Sequence, residues 1–293
     1  MHHDSAEWMV IREPSILGEA PVWNAAEGRL YWVDCDQKRL HRLDPLAARV
    51  ETLALPGSPG SYAFRPDGTL LMAFRNRLCL LDLETGDTQD VPTPMIDFSQ
   101  ARFNDGACDR AGRFWVGTMH KTMVLPVGAL YRIDPDLSVH VMAEGVTVSN
   151  GIAFSPDDRI LYHTDSRIAV IYAYDFDLAA GTIANRRVFA DYGGTHERPD
   201  GCTVSSDGLV WAAMLGGGRV AALGNDGREV RSIALPVTRP TSLCFGGAGL
   251  DTLFVTSMRH GLSDDELSAQ PEAGNLFAVR GIGTGLPEPL FGR

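Results

Sequence analysis

An all-β, six-bladed β-propeller with about four antiparallel strands per blade is the fold this sequence predicts, and three observations predict it. Short apolar runs of four to seven residues alternate with clusters of Gly, Pro, Asp and Asn, with little helical periodicity. One unit, an apolar strand, a turn and two further strands, recurs six times. Its length of about 45 residues, with about four strands in each, is the period of a propeller blade.

The second strand of each unit sets the frame. It reads RLYWVD from Arg29, TLLMAF from Thr69, RFWVGTM from Arg113, ILYHTD from Ile160, LVWAAM from Leu209 and TLFVTSM from Thr252. Successive starts lie 40, 44, 47, 49 and 43 residues apart, as loops of variable length on a constant unit would give. A third strand follows in most units, as in RLHRLDP, RLCLLDLETG, ALYRIDPD and VIYAYDFD. A doubly wound sheet would need helices of ten or more residues between strands, and a two-sheet sandwich gives no reason for a six-fold repeat. Residues 1–293 are therefore expected to form one propeller domain.

The repeat also organises the polar residues. In a propeller the first strand of each blade runs along the central channel. Those strands read EAPVW, GSYAF, NDGAC, NGIAF, DGCTV and TSLCF, and aligning them superposes Glu19, Gly60, Asn104, Asn150, Asp200 and Thr241. Radial symmetry turns that position into a ring at one mouth of the channel. Asn or Asp before Gly is also an ordinary turn signal, so NDG, SNG and PDG taken singly need no function. Four oxygen-bearing side chains at one symmetry-related position, one of them a Glu that is no turn former, do need one. Two carboxylates at a partly buried mouth repel unless one is protonated or a cation lies between them. Hard oxygen ligands suit Ca²⁺, Mg²⁺ or Mn²⁺, and Zn²⁺ with added water. Arg102 and Asp105 flank the ring at Asn104.

Composition excludes other classes. The chain of 293 residues carries a net charge of −11 and no Lys/Arg-rich run, which argues against nucleic acid or an anionic membrane as partner. The five cysteines are far apart, without a CxxC, and read as buried free thiols. The first residues, MHHDSAEW, lack the pattern of a signal peptide, and no apolar run approaches a membrane span. A cytoplasmic protein is expected, with no obligate protein partner evident. No GxSxG elbow or HExxH pair is present, and single histidines such as His41 and His163 read as satisfied structural residues.

The stretches LGEAPVW (17–23), RFNDGACDRAGRFWVGTM (102–119), SNGIAFSPD (149–157), RPDGCTV (198–204), CFGG and QPEAGNLF resemble, in order, the senescence-marker-protein, gluconolactonase and regucalcin family of sugar lactonases. The resemblance runs from Leu17 to Phe277. It implies a six-bladed propeller binding one divalent cation through Glu19, Asn150 and Asp200, with Asp200 as general base. It also implies that Arg102 holds sugar oxygens and that Asn104 contacts substrate or metal-bound water. Some members carry an acidic residue three places after GTM. Here His120 and Lys121 lead to Thr122 at that place, and Arg259 and His260 occupy the corresponding end of the last blade. Arg102, Asn104, Asp105, His120 and Lys121 are assigned to substrate contact. The basic rim suits a substrate bearing an acid group, although exposed Lys and Arg are commonly plain solvated surface.

The expected reaction is hydrolysis of a sugar (aldono-)lactone, a bound dication polarising the carbonyl while Asp200 takes a proton from the attacking water. A calcium-binding or interaction propeller without turnover, and a hydrolase of other esters, are the alternatives.

Overall fold

The computed structural model describes residues 2–3 and 8–293, with 25 strands and one short helix among them. Most of the residues on which the signal-peptide expectation rests lie outside the described set.

Two strands, β1 (His2–His3) and β2 (Trp8–Ile11), precede the first blade. Blade 1 is β3 (Gly18–Asn24), β4 (Arg29–Asp34), β5 (Arg39–Asp44) and β6 (Arg49–Ala54). Blade 2 is β7 (Pro59–Phe64), β8 (Leu70–Phe74), β9 (Arg77–Leu81) and β10 (Thr88–Val91). Blade 3 is β11 (Ala101–Cys108), β12 (Phe114–His120), β13 (Gly128–Ile133) and β14 (Val139–Val146). Blade 4 is β15 (Ser149–Phe154), β16 (Ile160–Asp165), β17 (Val170–Asp177) and β18 (Thr182–Asp191). Blade 5 is β19 (Arg198–Val204), β20 (Val210–Leu215), β21 (Arg219–Leu223) and β22 (Glu229–Ala234), with β1 added in parallel to β22. Blade 6 contains β23 (Pro240–Gly246), β24 (Thr252–Ser257) and, after the helix α1 (Asp264–Ala269), β25 (Leu276–Arg280). Its outermost strand is β2 from the other end of the chain, antiparallel to β25 with Trp8 opposite Val279.

The six inner strands form a closed ring: each packs on the next, and β23 packs back on β3. The turn that follows each inner strand contains a left-handed residue, at Gly28, Gly68, Gly112, Asp158, Gly208 and Gly247. Five of the six are glycines, which meet that backbone demand without steric cost.

Burial falls off outward. The second strands, β4, β8, β12, β16, β20 and β24, are almost wholly buried, whereas β10, β14 and β18 are largely solvated. Six apolar clusters hold the blades together, one in each gap between neighbours. Trp115, for example, joins blades 3 and 4 with Phe154 and Phe176, and Trp211 joins blades 5 and 6 with Leu243 and Phe277. Burying aromatic and aliphatic surface at every interface supplies the driving force for closure.

Candidate functional site

The ring residues reach the channel because the ladder slips beside each of them. Between inner and second strand the register shifts at Glu19/Val22, Pro59/Ser61, Phe103/Gly106, Asn150/Ile152, Pro199/Cys202 and Pro240/Leu243. A β-bulge bends its strand and re-aims the side chains beside it. Two of the bulges are sharp: Ala20 and Gly151, each following a ring residue, have φ of 46° and 43°. At Gly60 a side chain is barred, since a Cβ there would lie 2.6 Å from the Asn104 carbonyl oxygen. That close approach is why this ring position carries no side chain.

Glu19, Asn104, Asn150 and Asp200 border one cavity of about 600 Å³ at the channel mouth. Asp105 forms its floor and also borders a smaller chamber of about 90 Å³ on the far side. Asn150 and Asp200 are buried, and Glu19 is half-buried. Burial pushes the Glu19 carboxyl well above the usual range, and the Asp200 and Asp105 carboxylates push it further. Asp200 is raised by burial and then by Asp105. Asp105 itself is pushed up to about 6 by burial, against backbone hydrogen bonds from Gly106 and Gly151.

A hydrogen-bonded chain crosses three blades at this level. Arg102 Nη1 donates to Asn104 Oδ1 at 2.8 Å, and Asn104 Nδ2 donates to Asn150 Oδ1 at 2.5 Å and to the Ser149 carbonyl at 2.9 Å. Asn150 Nδ2 donates to Ser166 Oγ at 2.9 Å, and Ser166 Oγ donates to the Pro199 carbonyl at 2.6 Å. The chain fixes which way the Asn150 amide faces. One atom stands outside it: Asp200 Oδ1 is buried with no hydrogen-bond partner among the described residues.

These residues fit a hard cation. Among the described residues no three His, Cys, Asp or Glu side chains come together as ligands. The donor set here is instead two carboxyls and an amide oxygen. Two carboxyls driven toward the neutral form by shared burial, one with an orphaned oxygen, are the arrangement that an opposing dication returns to the charged state.

The rim differs from the sequence reading in two places. Lys121, Thr122 and His260 border the cavity, but His120 and Arg259 do not. Side chains alternate along β12, so Met119 faces the cavity while His120 turns away; beyond that strand Lys121 and Thr122 both border the cavity, as do Met258 and His260 on either side of Arg259. The His120 ring is buried, and its Nδ1 accepts from the backbone N–H groups of Val124 and Leu125 at 3.2 and 3.3 Å. These bonds tie it to the 121–125 loop. His260 Nδ1 lies 2.8 Å from Asp36 Oδ2, and Arg75 Nη2 donates to Asp36 Oδ1 at 2.8 Å.

Asp36, Arg75, Ser166, Arg167, Arg198 and Arg239 border the cavity without having been singled out in the sequence. Arg198 and Arg239 carried a usable signal, since each stands two residues before a ring position, as Arg102 does. All five cysteines are free and buried, with Cys35 at this cavity and Cys108, Cys202 and Cys244 at the lower chamber. His41 and His163 are buried, partnered by Thr52 and Ser149 respectively. No helix among the described residues is long and apolar enough to cross a membrane.

Residues 17–259 match the family described as the SMP-30/Gluconolactonase/LRE-like region. The chain is 42% identical to a Pseudomonas putida protein named 6-deoxy-6-sulfogluconolactonase, over 96% of this chain and 97% of that one. It is 36% identical to regucalcin of Oryctolagus cuniculus, over 95% of each. Among solved structures, an Agrobacterium tumefaciens regucalcin described as a calcium-binding protein superposes with a TM-score of 0.93 at 29% identity, covering 98% of this chain and 97% of that one.

Proposed function

Because the chain belongs to the SMP-30/gluconolactonase/LRE-like family, we propose that it hydrolyses a sugar lactone to the sugar acid, with one divalent cation held by Glu19, Asn150 and Asp200. The observation that carries this reading is the pairing of Glu19 with Asp200 in one cavity beside an oriented amide, with Asp200 Oδ1 unpartnered. When bound, the cation supplies polarisation of the lactone carbonyl and offsets the charge that develops on it.

The chain's own groups do the rest. Asp200 takes a proton from the water whose oxygen attacks the carbonyl carbon. The ring C–O bond then breaks, and Asp200 returns the proton to the departing ring oxygen, leaving the open hydroxy acid. Arg102, through the N–H groups not committed to Asn104 and Phe103, and Lys121 on the rim hold sugar oxygens and keep the carbonyl within reach. Asn104 keeps the Asn150 amide turned toward the cation. Asp105 closes the floor.

The Pseudomonas putida relative's name supports a six-carbon sugar lactone carrying an acidic group away from the carbonyl. Calcium is supported by the Agrobacterium description, while the donor set also accepts Mg²⁺, Mn²⁺ or Zn²⁺. Five free, buried cysteines support a reducing compartment such as the cytoplasm.

The test is a pH-drop assay on a panel of aldonolactones, in metal-free buffer and with each divalent cation. Turnover that disappears with chelator and returns with metal is expected. Undiminished turnover without metal removes the cation from the mechanism. Stoichiometric cation binding with no turnover of any lactone or simple ester leaves the calcium-binding reading in its place.

A further inference from the structure

The six-fold repeat stacks a second layer on the ring. Two residues upstream of each ring position stand Leu17, Ser58, Arg102, Val148, Arg198 and Arg239. Positions two apart along a strand share a face and lie roughly 7 Å apart. This layer therefore sits nearer the mouth, and all its members except Ser58 border the cavity. The lower layer holds the carboxyls; the upper layer has three arginines and no acid.

The charge of the upper layer is only partly compensated: Arg102 feels the Glu19 and Asp36 carboxylates, and Arg239 feels Glu266 on α1. Arg75 and His260 both end on Asp36. By contrast Arg198, Arg239 and their neighbour Arg167 form no ion pair among the described residues, although all three border the cavity. They are steered by backbone instead. Arg198 Nη1 donates to the Arg167 carbonyl at 2.8 Å, and Arg239 Nη1 donates to the His260 carbonyl at 2.6 Å. Each guanidinium keeps further N–H groups for a ligand. Elsewhere on the molecule arginines are commonly tied to carboxylates, as Arg42, Arg113 and Arg219 are. Burial first, then the like charge of Arg75, pulls the Arg102 guanidinium down to about 10, against Glu19 and Asp36. A protein of net charge −11 thus gathers Arg167, Arg198 and Arg239 around one opening, above the layer that holds its carboxyls.

We infer that Arg198 and Arg239, flanked by Arg167, form an anion subsite that receives an acidic group at the far end of the substrate, a sulfonate, phosphate or carboxylate on a six-carbon lactone. The orientation rests on the lactonase reading: with the carbonyl at the Glu19–Asp200 layer, the sixth carbon of the sugar reaches the arginine layer. Guanidinium forks match tetrahedral and planar oxyanions alike. The surplus cations also set a preference against neutral sugars, whose arrival leaves desolvated charge unpaired.

Binding can be read without any lactone chemistry. Calorimetry compares methyl glucoside with its C6-sulfonate and C6-carboxylate analogues, on the wild-type chain and on Arg198→Gln, Arg239→Gln and the double variant, each checked for native circular dichroism. The expected result is about a tenfold preference for an anionic analogue, reduced about threefold in each single variant and absent in the double. Arg198→Lys should restore part of it. A sulfonate ahead of the carboxylate assigns the tetrahedral group, and the reverse assigns the planar one. Equal binding of neutral and anionic analogues, or a preference surviving in the double variant, overturns the inference. A lactone assay on the same proteins keeps the two readings apart. Turnover of neutral and acidic lactones at equal efficiency sinks the subsite alone, whereas anion preference without turnover of any lactone sinks the lactonase reading alone.

Discussion

The two ends of the channel are built from the same six strands and do opposite things. At the mouth, upstream of the bulges, the cavity is bordered by carboxyls, amides and unpaired guanidiniums. At the far end, downstream of the bulges, Cys108, Cys202, Cys244, Ile152 and Leu243 border a chamber of about 90 Å³. There the C-terminal segment folds back over the opening. Leu286 to Pro289 line the chamber, and Phe291 donates its backbone N–H to the Phe64 carbonyl at 2.8 Å while its ring is buried between blades 2 and 3. Burial pushes Glu288 up to about 7, and Asp105, which borders both spaces, adds to it against Arg110. The difference teaches that bulge position divides a propeller strand into a segment kept for chemistry and a segment kept for cohesion. Changes at the mouth should therefore cost activity and spare stability, and changes at the far end should do the reverse.

The largest expected effect is at the mouth. Asp200→Asn should lower kcat by about 10²–10⁴-fold, the usual worth of a positioned base, with an unfolding midpoint no lower than that of the wild type. Near-normal turnover would remove Asp200 as base and blur the division. At the far end, Phe291→Ala should destabilise the fold by about 3 kcal/mol through lost burial and a cavity, seen as a lower urea midpoint, with kcat per folded molecule retained. A variant that kept its midpoint but lost turnover would show the tail to be part of the site.

Smaller effects sharpen the boundary. Ser166→Ala removes the acceptor that holds Asn150 Nδ2 and should weaken cation affinity about tenfold, as loss of a ligand's supporting hydrogen bond commonly does. His120→Ala frees the 121–125 loop and should raise KM about threefold with kcat retained. A collapse of kcat there would instead return His120 to direct substrate contact.

Much of this was legible before any coordinates. The six second strands announce the blades because their apolar runs must be buried on both faces, and alignment of the first strands finds the ring because symmetry makes sequence offset equivalent to position in space. The closing strand β2 was not legible. Its partner β25 lies at the other end of the chain, and WMVI carries no mark of that pairing. His120 and Arg259 stand off the cavity, and sequence could not show it: the end of a strand is not wholly a rim, and alternation along β12 turns His120 from the opening. The arginine layer was hidden for a different reason. Arginine is so often surface that only its register relative to the bulge, two residues upstream of the ring, marks Arg198 and Arg239 as lining residues.

The central claim is that Glu19, Asn150 and Asp200 together hold one dication at the mouth. Crystals soaked in Mn²⁺, with anomalous scattering to place the ion and calorimetry to count it, test that claim directly. The account predicts one ion per chain among those three side chains, and affinity lowered at least a hundredfold in Glu19→Gln. An ion bound elsewhere, or wild-type affinity in that variant, would contradict it.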